Sequence, residues 1–351
     1  MQRLDEFYRG RRVLVTGHTG FKGAWLCHVL KRLGARVYGF ALECESEESL
    51  YRAARVEEGM CSMIGDVRDQ SALLSAFREA RPEVVFHLAA QPLVREGYAD
   101  PVYTYEVNVM GAVHLMDCVK SFACVRSVVH VTTDKVYENV EDGRAFREDD
   151  RLDGFDPYAN SKSCAELVTG AFVRSYLLGR GVAVSTVRAG NVIGGGDVAK
   201  DRILPDCVRA LTGGKPLFLR SPDSVRPYQH VLEPILFYLM LGARQYEAPS
   251  LAGAYNVGPR KEDHVTTAEL VALFETAYGK AIPRQTGGET GPHEAKTLLL
   301  DTARAERVLG YLPRTNVQEA VRFCAEFEKC RVTGGDICAV MDKQIDYFLS
   351  E

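Results

Sequence analysis

Tyr158-Ala159-Asn160-Ser161-Lys162 sets a phenol and an ammonium four residues apart, on one face of a helix. A cation there lowers the phenol's pKa from its usual ~10 and favours the phenolate. Such a base takes a proton from an alcohol while a hydride leaves the alcohol's carbon. Thr132-Thr133-Asp134-Lys135 lies upstream, at the end of a strong β-branched run, and brings hydroxyl, carboxyl and a second ammonium to the same edge.

A second constellation points to a nucleotide. Thr16-Gly17-His18-Thr19-Gly20-Phe21-Lys22-Gly23 follows a short apolar run directly and opens an amphipathic stretch. Glycines at the first, fourth and seventh positions allow a tight turn and close backbone approach to a pyrophosphate at a helix N-terminus. Gly17, Thr19, Gly20, Phe21, Lys22 and Gly23 are therefore cofactor-binding candidates. Asp66 and Val67 end a further strand where an adenine is expected, and Leu88-Ala89-Ala90-Gln91 ends another with small residues. Asn108 and Thr132 complete the expected cofactor set, with Tyr158 and Lys162. The acidic residue that holds a ribose in NAD sites is poorly specified, because the second strand ends Phe40-Ala41-Leu42-Glu43.

The elements that carry these groups alternate. Apolar runs at 12–16, 35–42, 63–65, 84–88, 127–132 and 183–187 read as strands. Amphipathic stretches at 23–33, 71–80, 104–122 and 161–178 read as helices. This order predicts an α/β fold with a doubly wound parallel sheet, whose ligands bind at the carboxyl ends of the strands. After about residue 190 glycines and prolines crowd the chain. We expect a cofactor domain over 1–190, with a return segment near 228–260, and a smaller α/β substrate domain over 191–351, interleaved with it.

Composition narrows the class. Forty-three Lys and Arg against 47 Asp and Glu give a net charge of −4, which argues against a nucleic-acid partner. Apolar runs are far shorter than the ~18 residues of a membrane span, and Met1-Gln2-Arg3-Leu4-Asp5-Glu6 is no secretory leader, so a cytoplasmic protein is expected. Ten cysteines contain no C-x-x-C pair, and no metal site is expected.

Together the glycine motif, the Leu-Ala-Ala segment, Thr133 and the Tyr158/Lys162 pair resemble the extended short-chain dehydrogenase/reductase family. Longer strings are similar to its sugar-nucleotide 4,6-dehydratase branch. They are Gly17-His18-Thr19-Gly20-Phe21-Lys22-Gly23-Ala24-Trp25-Leu26, Thr133-Asp134-Lys135-Val136-Tyr137, Arg188-Ala189-Gly190-Asn191-Val192-Ile193-Gly194-Gly195-Gly196-Asp197 and Arg226-Pro227-Tyr228-Gln229-His230. Tyr228 and Val136 depart from the Trp and Cys expected there. The resemblance implies a Rossmann-type fold, NAD as cofactor and a nucleotide sugar, a CDP-hexose, as substrate. It implies oxidation at C4, loss of water across C5 and C6, and hydride return to C6. In that scheme Tyr158 is the base, Thr133 meets the 4-hydroxyl and Lys162 holds the nicotinamide ribose. Asp134 is the acid and Lys135, acting in its neutral form, the base of the elimination. Many relatives carry Glu where Lys135 stands. Asn191, Arg202 and Arg226 are expected on the substrate, Asn191 and Arg226 at its diphosphate. Helices over 104–122 and 161–178 resemble the pair that forms a homodimer, or a dimer of dimers, in related enzymes. Alternatives are a UDP-N-acetylhexosamine 4,6-dehydratase, a nucleotide-sugar 4-epimerase and a catalytically silent NAD-binding regulator.

Overall fold

The computed structural model describes residues 4–44, 46–287 and 297–350. β1 (Arg12–Thr16) turns through the glycine loop into α1 (Phe21–Arg32), and β2 (Arg36–Ala41) follows. β3 (Cys61–Ile64) leads to α2 (Gln70–Ala80), β4 (Val84–His87) to α3 (Gly111–Ser121), and β5 (Ser127–Val131) to α4 (Pro157–Phe172). After β6 (Ala183–Ala189) come α5 (Ile203–Gly213) and α6 (Leu232–Glu247), then β7 (Ala254–Val257), α7 (Val317–Val332) and α8 (Ile337–Leu349).

The seven strands form one parallel sheet in the order β7-β6-β5-β4-β1-β2-β3. Strand order reverses between β1 and β4, whose last residues Thr16 and His87 lie side by side. A doubly wound sheet opens a crevice beyond that point, because the crossovers on its two sides leave to opposite faces. The fold is thus α/β of the Rossmann type.

Both faces of the sheet are covered, so its strands read as continuous apolar runs rather than alternating ones. On one face α1, α6 and α8 bury Trp25, Leu26, Leu236, Ile345 and Phe348 against Val13, Val129 and Val187. On the other, Leu73 and Phe77 of α2 and Leu115 and Val119 of α3 pack on Leu14, Val85 and Val128. Each such side chain contributes about 1.5–3 kcal/mol when fully buried. A separate core joins Leu204 and Val208 of α5, Leu270 and Phe274 of helix Thr267–Tyr278, and Val321 and Cys324 of α7. The C-terminal region is therefore shared: α7 serves the smaller core, while α8 closes the large one. Among the described residues no helix is long and apolar enough to cross a membrane, and all ten cysteines are free.

Two helices differ from their sequence reading. The one expected over 104–122 is helix Pro101–Tyr105, then a π turn over Glu106–Met110, then α3. The wider turn brings the Asn108 side chain to the backbone of Gln91 and the hydroxyl of Ser161. The helix expected from 161 begins at Pro157, because Asp156 caps the Ala159 N–H at 2.9 Å and proline suits the first turn. Tyr158 therefore sits in the first turn, with Lys162 one turn further along the same face.

Candidate active site

A cleft of about 2190 Å³ runs along the carboxyl edge of the sheet and under the smaller core. Its floor is the glycine loop. Gly17 has φ +77°, and a Cβ there would lie 2.7 Å from the Ala89 nitrogen; a Cβ on Gly23 would lie 2.0 Å from the Gly17 carbonyl oxygen. The loop therefore folds tightly onto both β4's end and its own helix, leaving the α1 N-terminus open to the cleft. Thr19, Gly20, Phe21 and Lys22 line it with Gly17 and Gly23, as do Asp66, Val67, Leu88, Ala89, Ala90 and Thr132.

Gln91 and Asn108 are not among the residues that line the cleft. Gln91 donates to the Thr104 hydroxyl at 2.8 Å and accepts from Leu93 N–H at 2.6 Å; Asn108 donates to Ser161 at 2.9 Å. Their amides join a buried seam just behind the wall and hold it in place. Glu43 is exposed and pairs loosely with Arg52 at 3.7 Å. Burial works to raise the Asp66 carboxyl, but hydrogen bonds from Arg68, including one at 2.8 Å, hold it below its usual value.

Thr133, Asp134, Lys135, Tyr158 and Lys162 converge on the middle of the cleft. Thr133 caps a short 3-10 turn over Asp134–Val136, accepting from Lys135 N–H at 3.4 Å and donating to Asp134 Oδ1 at 3.0 Å. Asp134 is 3 % exposed, and its Oδ2 has no hydrogen-bond partner. A Cβ on Gly190 would lie 3.1 Å from Oδ2 and 2.8 Å from the Pro227 ring, so a side chain there would crowd the carboxyl. Burial raises the Asp134 carboxyl; Lys135, Thr133, Arg226 and Lys22 oppose it. Lys135 is only half-buried.

Tyr158 differs from expectation in its electrostatics. Burial pushes the phenol up to about 12, and the opposing groups are Thr133 and Arg202 rather than Lys162. The desolvation of a phenolate outweighs cation stabilisation in this cleft. Lys162 donates to the Val131 carbonyl at 3.3 Å; burial and the nearby Lys22 charge bring it down to about 8, against Glu166. Lys22, at the cofactor loop, likewise falls to about 8 through burial and Arg202, despite Asp134 and Asp197. Its ammonium therefore borders Asp134 and Lys162 as well as the glycine loop.

Asn191, Arg202 and Arg226 also line the cleft. Arg202 lies 3.9 Å from Asp197, a buried carboxylate that the sequence reading did not single out. That reading also missed Glu166. Its carboxylate accepts from Thr132 at 2.6 Å, Thr186 at 2.6 Å and Arg188 at 2.9 and 3.0 Å, all buried. Arg188 continues to the Tyr137 hydroxyl at 2.8 Å, which donates to Asn256 at 2.6 Å. This seam pins α4 to the ends of β5, β6 and β7. Glu166 lies eight residues after Tyr158 and four after Lys162, so helical periodicity would have placed it on the same inward face.

A parallel Rossmann sheet with a glycine-loop floor, and a Tyr-x-x-x-Lys helix facing a Thr-bearing strand end, defines an extended short-chain dehydrogenase/reductase. Within that class the chain belongs to the GDP-mannose 4,6 dehydratase family, whose profile matches residues 14–323. It is 43% identical over 350 residues to the CDP-glucose 4,6-dehydratase of Salmonella typhimurium (strain LT2), covering 98% of each chain. Among solved structures it is similar to Thermus thermophilus UDP-glucose 4-epimerase in complex with NAD, at 28% identity and a TM-score of 0.78 over 91% of this chain and 99% of that one. The dTDP-glucose 4,6-dehydratase of Bacillus anthracis, also in complex with NAD, shares the fold at 21% identity and a TM-score of 0.76, over 91% and 97%.

Proposed function

We propose that the protein is an NAD-dependent sugar-nucleotide 4,6-dehydratase that converts CDP-glucose to CDP-4-keto-6-deoxyglucose. One observation carries the reading: a buried carboxyl, Asp134, with an unpartnered oxygen, stands next to Lys135 and beside Tyr158 and Lys162. A 4-epimerase or simple dehydrogenase has use for the tyrosine and lysine of α4 but none for an additional acid in the cleft.

The loop fits a dinucleotide, since the space a Cβ would take at Gly17 and Gly23 is closed to any side chain. Gly17 to Gly23 would hold the pyrophosphate at the α1 N-terminus, Asp66 and Val67 the adenine side, and Tyr158 and Lys162 the nicotinamide ribose. When bound, NAD would supply the hydride acceptor for C4 and the hydride donor for C6. The chain's own residues do the proton work. Tyr158 takes the 4-hydroxyl proton, with Thr133 meeting that hydroxyl. The C4 ketone then acidifies C5, where Lys135 removes a proton. Asp134, whose hold on a proton burial strengthens, delivers one to the departing 6-hydroxyl. Lys135 returns its proton to C5. Arg226, Arg202 and Asn191 hold the diphosphate, arginine being suited by its fork of donors.

Reaction type and substrate are tested together by NMR of reactions with CDP-, UDP-, GDP- and dTDP-glucose in the presence of NAD. A 4-keto-6-deoxy product from CDP-glucose alone is expected. Epimerised product without loss of water would overturn the dehydratase reading, and turnover of another nucleotide sugar would move the substrate assignment.

We also propose that the protein works as a homodimer through helices Pro101–Tyr105, α3 and α4. Val102 on helix Pro101–Tyr105, Met110 at the end of the π turn, Leu167 on α4 and Leu178 just beyond it are 68, 45, 60 and 77% exposed, large apolar side chains of the kind that mark an interface.

A further inference from the structure

Trp25 is the chain's one tryptophan, and the mechanism above does not use it. It sits in the second turn of α1, just past Gly23, and is fully buried. Its ring meets those of Phe327 and His230, with centroids 6.1 and 6.2 Å away. Apolar packing alone would suit a phenylalanine. An indole N–H, however, is a donor only, and when buried it needs a partner. Here it donates to the Gly195 carbonyl at 3.1 Å, 170 residues away in the chain.

Gly195 lies in a segment, Gly194 to Arg202, whose other residues all line the cleft. The start of that segment has no side chain with which to anchor itself. A Cβ on Gly195 would lie 1.9 Å from the Phe327 ring, and Gly196 has φ +82°, so both positions call for glycine. Glycine is costly to order, and the support comes from outside. Trp25 supplies it from the nucleotide side. From α7, Glu328 accepts from Gly196 N–H at 3.0 Å, while its other oxygen takes Arg331 at 2.7 Å. Further along, Asp197 accepts from Ala199 N–H at 3.0 Å, and Arg209 of α5 donates to the Ala199 carbonyl at 3.0 Å. At its end the segment presents Arg202, 3.9 Å from Asp197.

We infer, on the dehydratase reading above, that Trp25 is a positioning residue for the substrate: its N–H holds the Gly194–Arg202 segment so that Arg202 meets the diphosphate. α1 opens at the glycine loop, so a single helix sets both the seat of the dinucleotide and the place of a substrate arginine. Trp25 touches neither ligand. It acts through the Gly195 carbonyl, with Glu328 as the matching anchor on the next residue.

The test is steady-state kinetics of CDP-glucose dehydration by the NAD-loaded enzyme, with NAD affinity titrated separately. W25F keeps a ring and loses the N–H. Its KM for CDP-glucose is expected to rise about tenfold, the worth of one charge-assisted hydrogen bond, with kcat and NAD affinity within about twofold of wild type. In an R202M background the same change adds about twofold or less, because the group it positions is gone. V29A, on the same helix but packed against α6 and α8, leaves KM unchanged. E328Q releases the second anchor, since its one remaining oxygen stays with the charged Arg331; KM rises about threefold or more, a result that does not depend on W25F folding. The proposal is overturned by a wild-type KM in W25F or in E328Q, by an equal rise in V29A, or by a W25F effect undiminished in R202M. Absence of any 4-keto-6-deoxy product from wild type is a different result and sinks the dehydratase reading instead.

Discussion

Asp134 and Lys162 are both held away from their solution protonation behaviour by burial, in opposite chemical directions. A buried carboxyl prefers its proton, so D134N, which keeps the shape and cannot donate in the same way, is expected to lower product formation by about 10²–10⁴-fold with a small change in KM. Steady-state NMR assay checks this. The Lys162 pKa falls from 10.5 to about 8, so the ammonium is present below about 8 and lost above it. If the ammonium holds the cofactor ribose, kcat/KM declines as pH rises through about 8. Lys22 is one of the groups that lowers Lys162, so K22M is expected to shift that alkaline limb upward; an unmoved limb assigns it to another group. The tyrosine–lysine pair and the Thr-Asp-Lys string were legible as chemistry because types and spacing suffice. That Lys162 does not hold the Tyr158 phenol down was not, since desolvation depends on what covers a side chain rather than on its neighbours in the chain.

At the scale of elements, the glycine loop and α4 depend on close approach and on a buried charge. G23A puts a methyl 2.0 Å from the Gly17 oxygen, a backbone atom that cannot step aside. Loss of about 1–3 kcal/mol of stability and at least tenfold weaker NAD binding are expected, read by urea unfolding and by fluorescence titration. E166Q strips the charge that pairs with buried Arg188 and is expected to cost about 3–5 kcal/mol. A thermal unfolding midpoint unchanged from wild type would show the seam to be dispensable. The six strands up to residue 190 were readable as β-branched runs with short links. The π turn at Glu106–Met110 was not, because it answers the distant demands of Gln91 and Ser161 rather than any local propensity.

For the whole molecule, the exposed apolar side chains of Val102, Met110, Leu167 and Leu178 predict a dimer in solution, and L167E is expected to yield monomers by sedimentation. A wild-type monomer at micromolar concentration counts against the interface. The chain also closes its large sheet late. β7 begins at Ala254 and pairs along β6 from Thr186 to Ala189, while α6 and α8 bury one face of the strands that precede them. During synthesis, a chain that has emerged only as far as β6 carries an unpaired β6 edge and a row of strand valines that α6 and α8 do not yet cover. Such an edge is an invitation to pair with another nascent chain. The interleaving that builds the cleft therefore sets a time window in which the nucleotide half is vulnerable. That window shuts only once the α8 helix, about 80 residues beyond β7, has been made and docked.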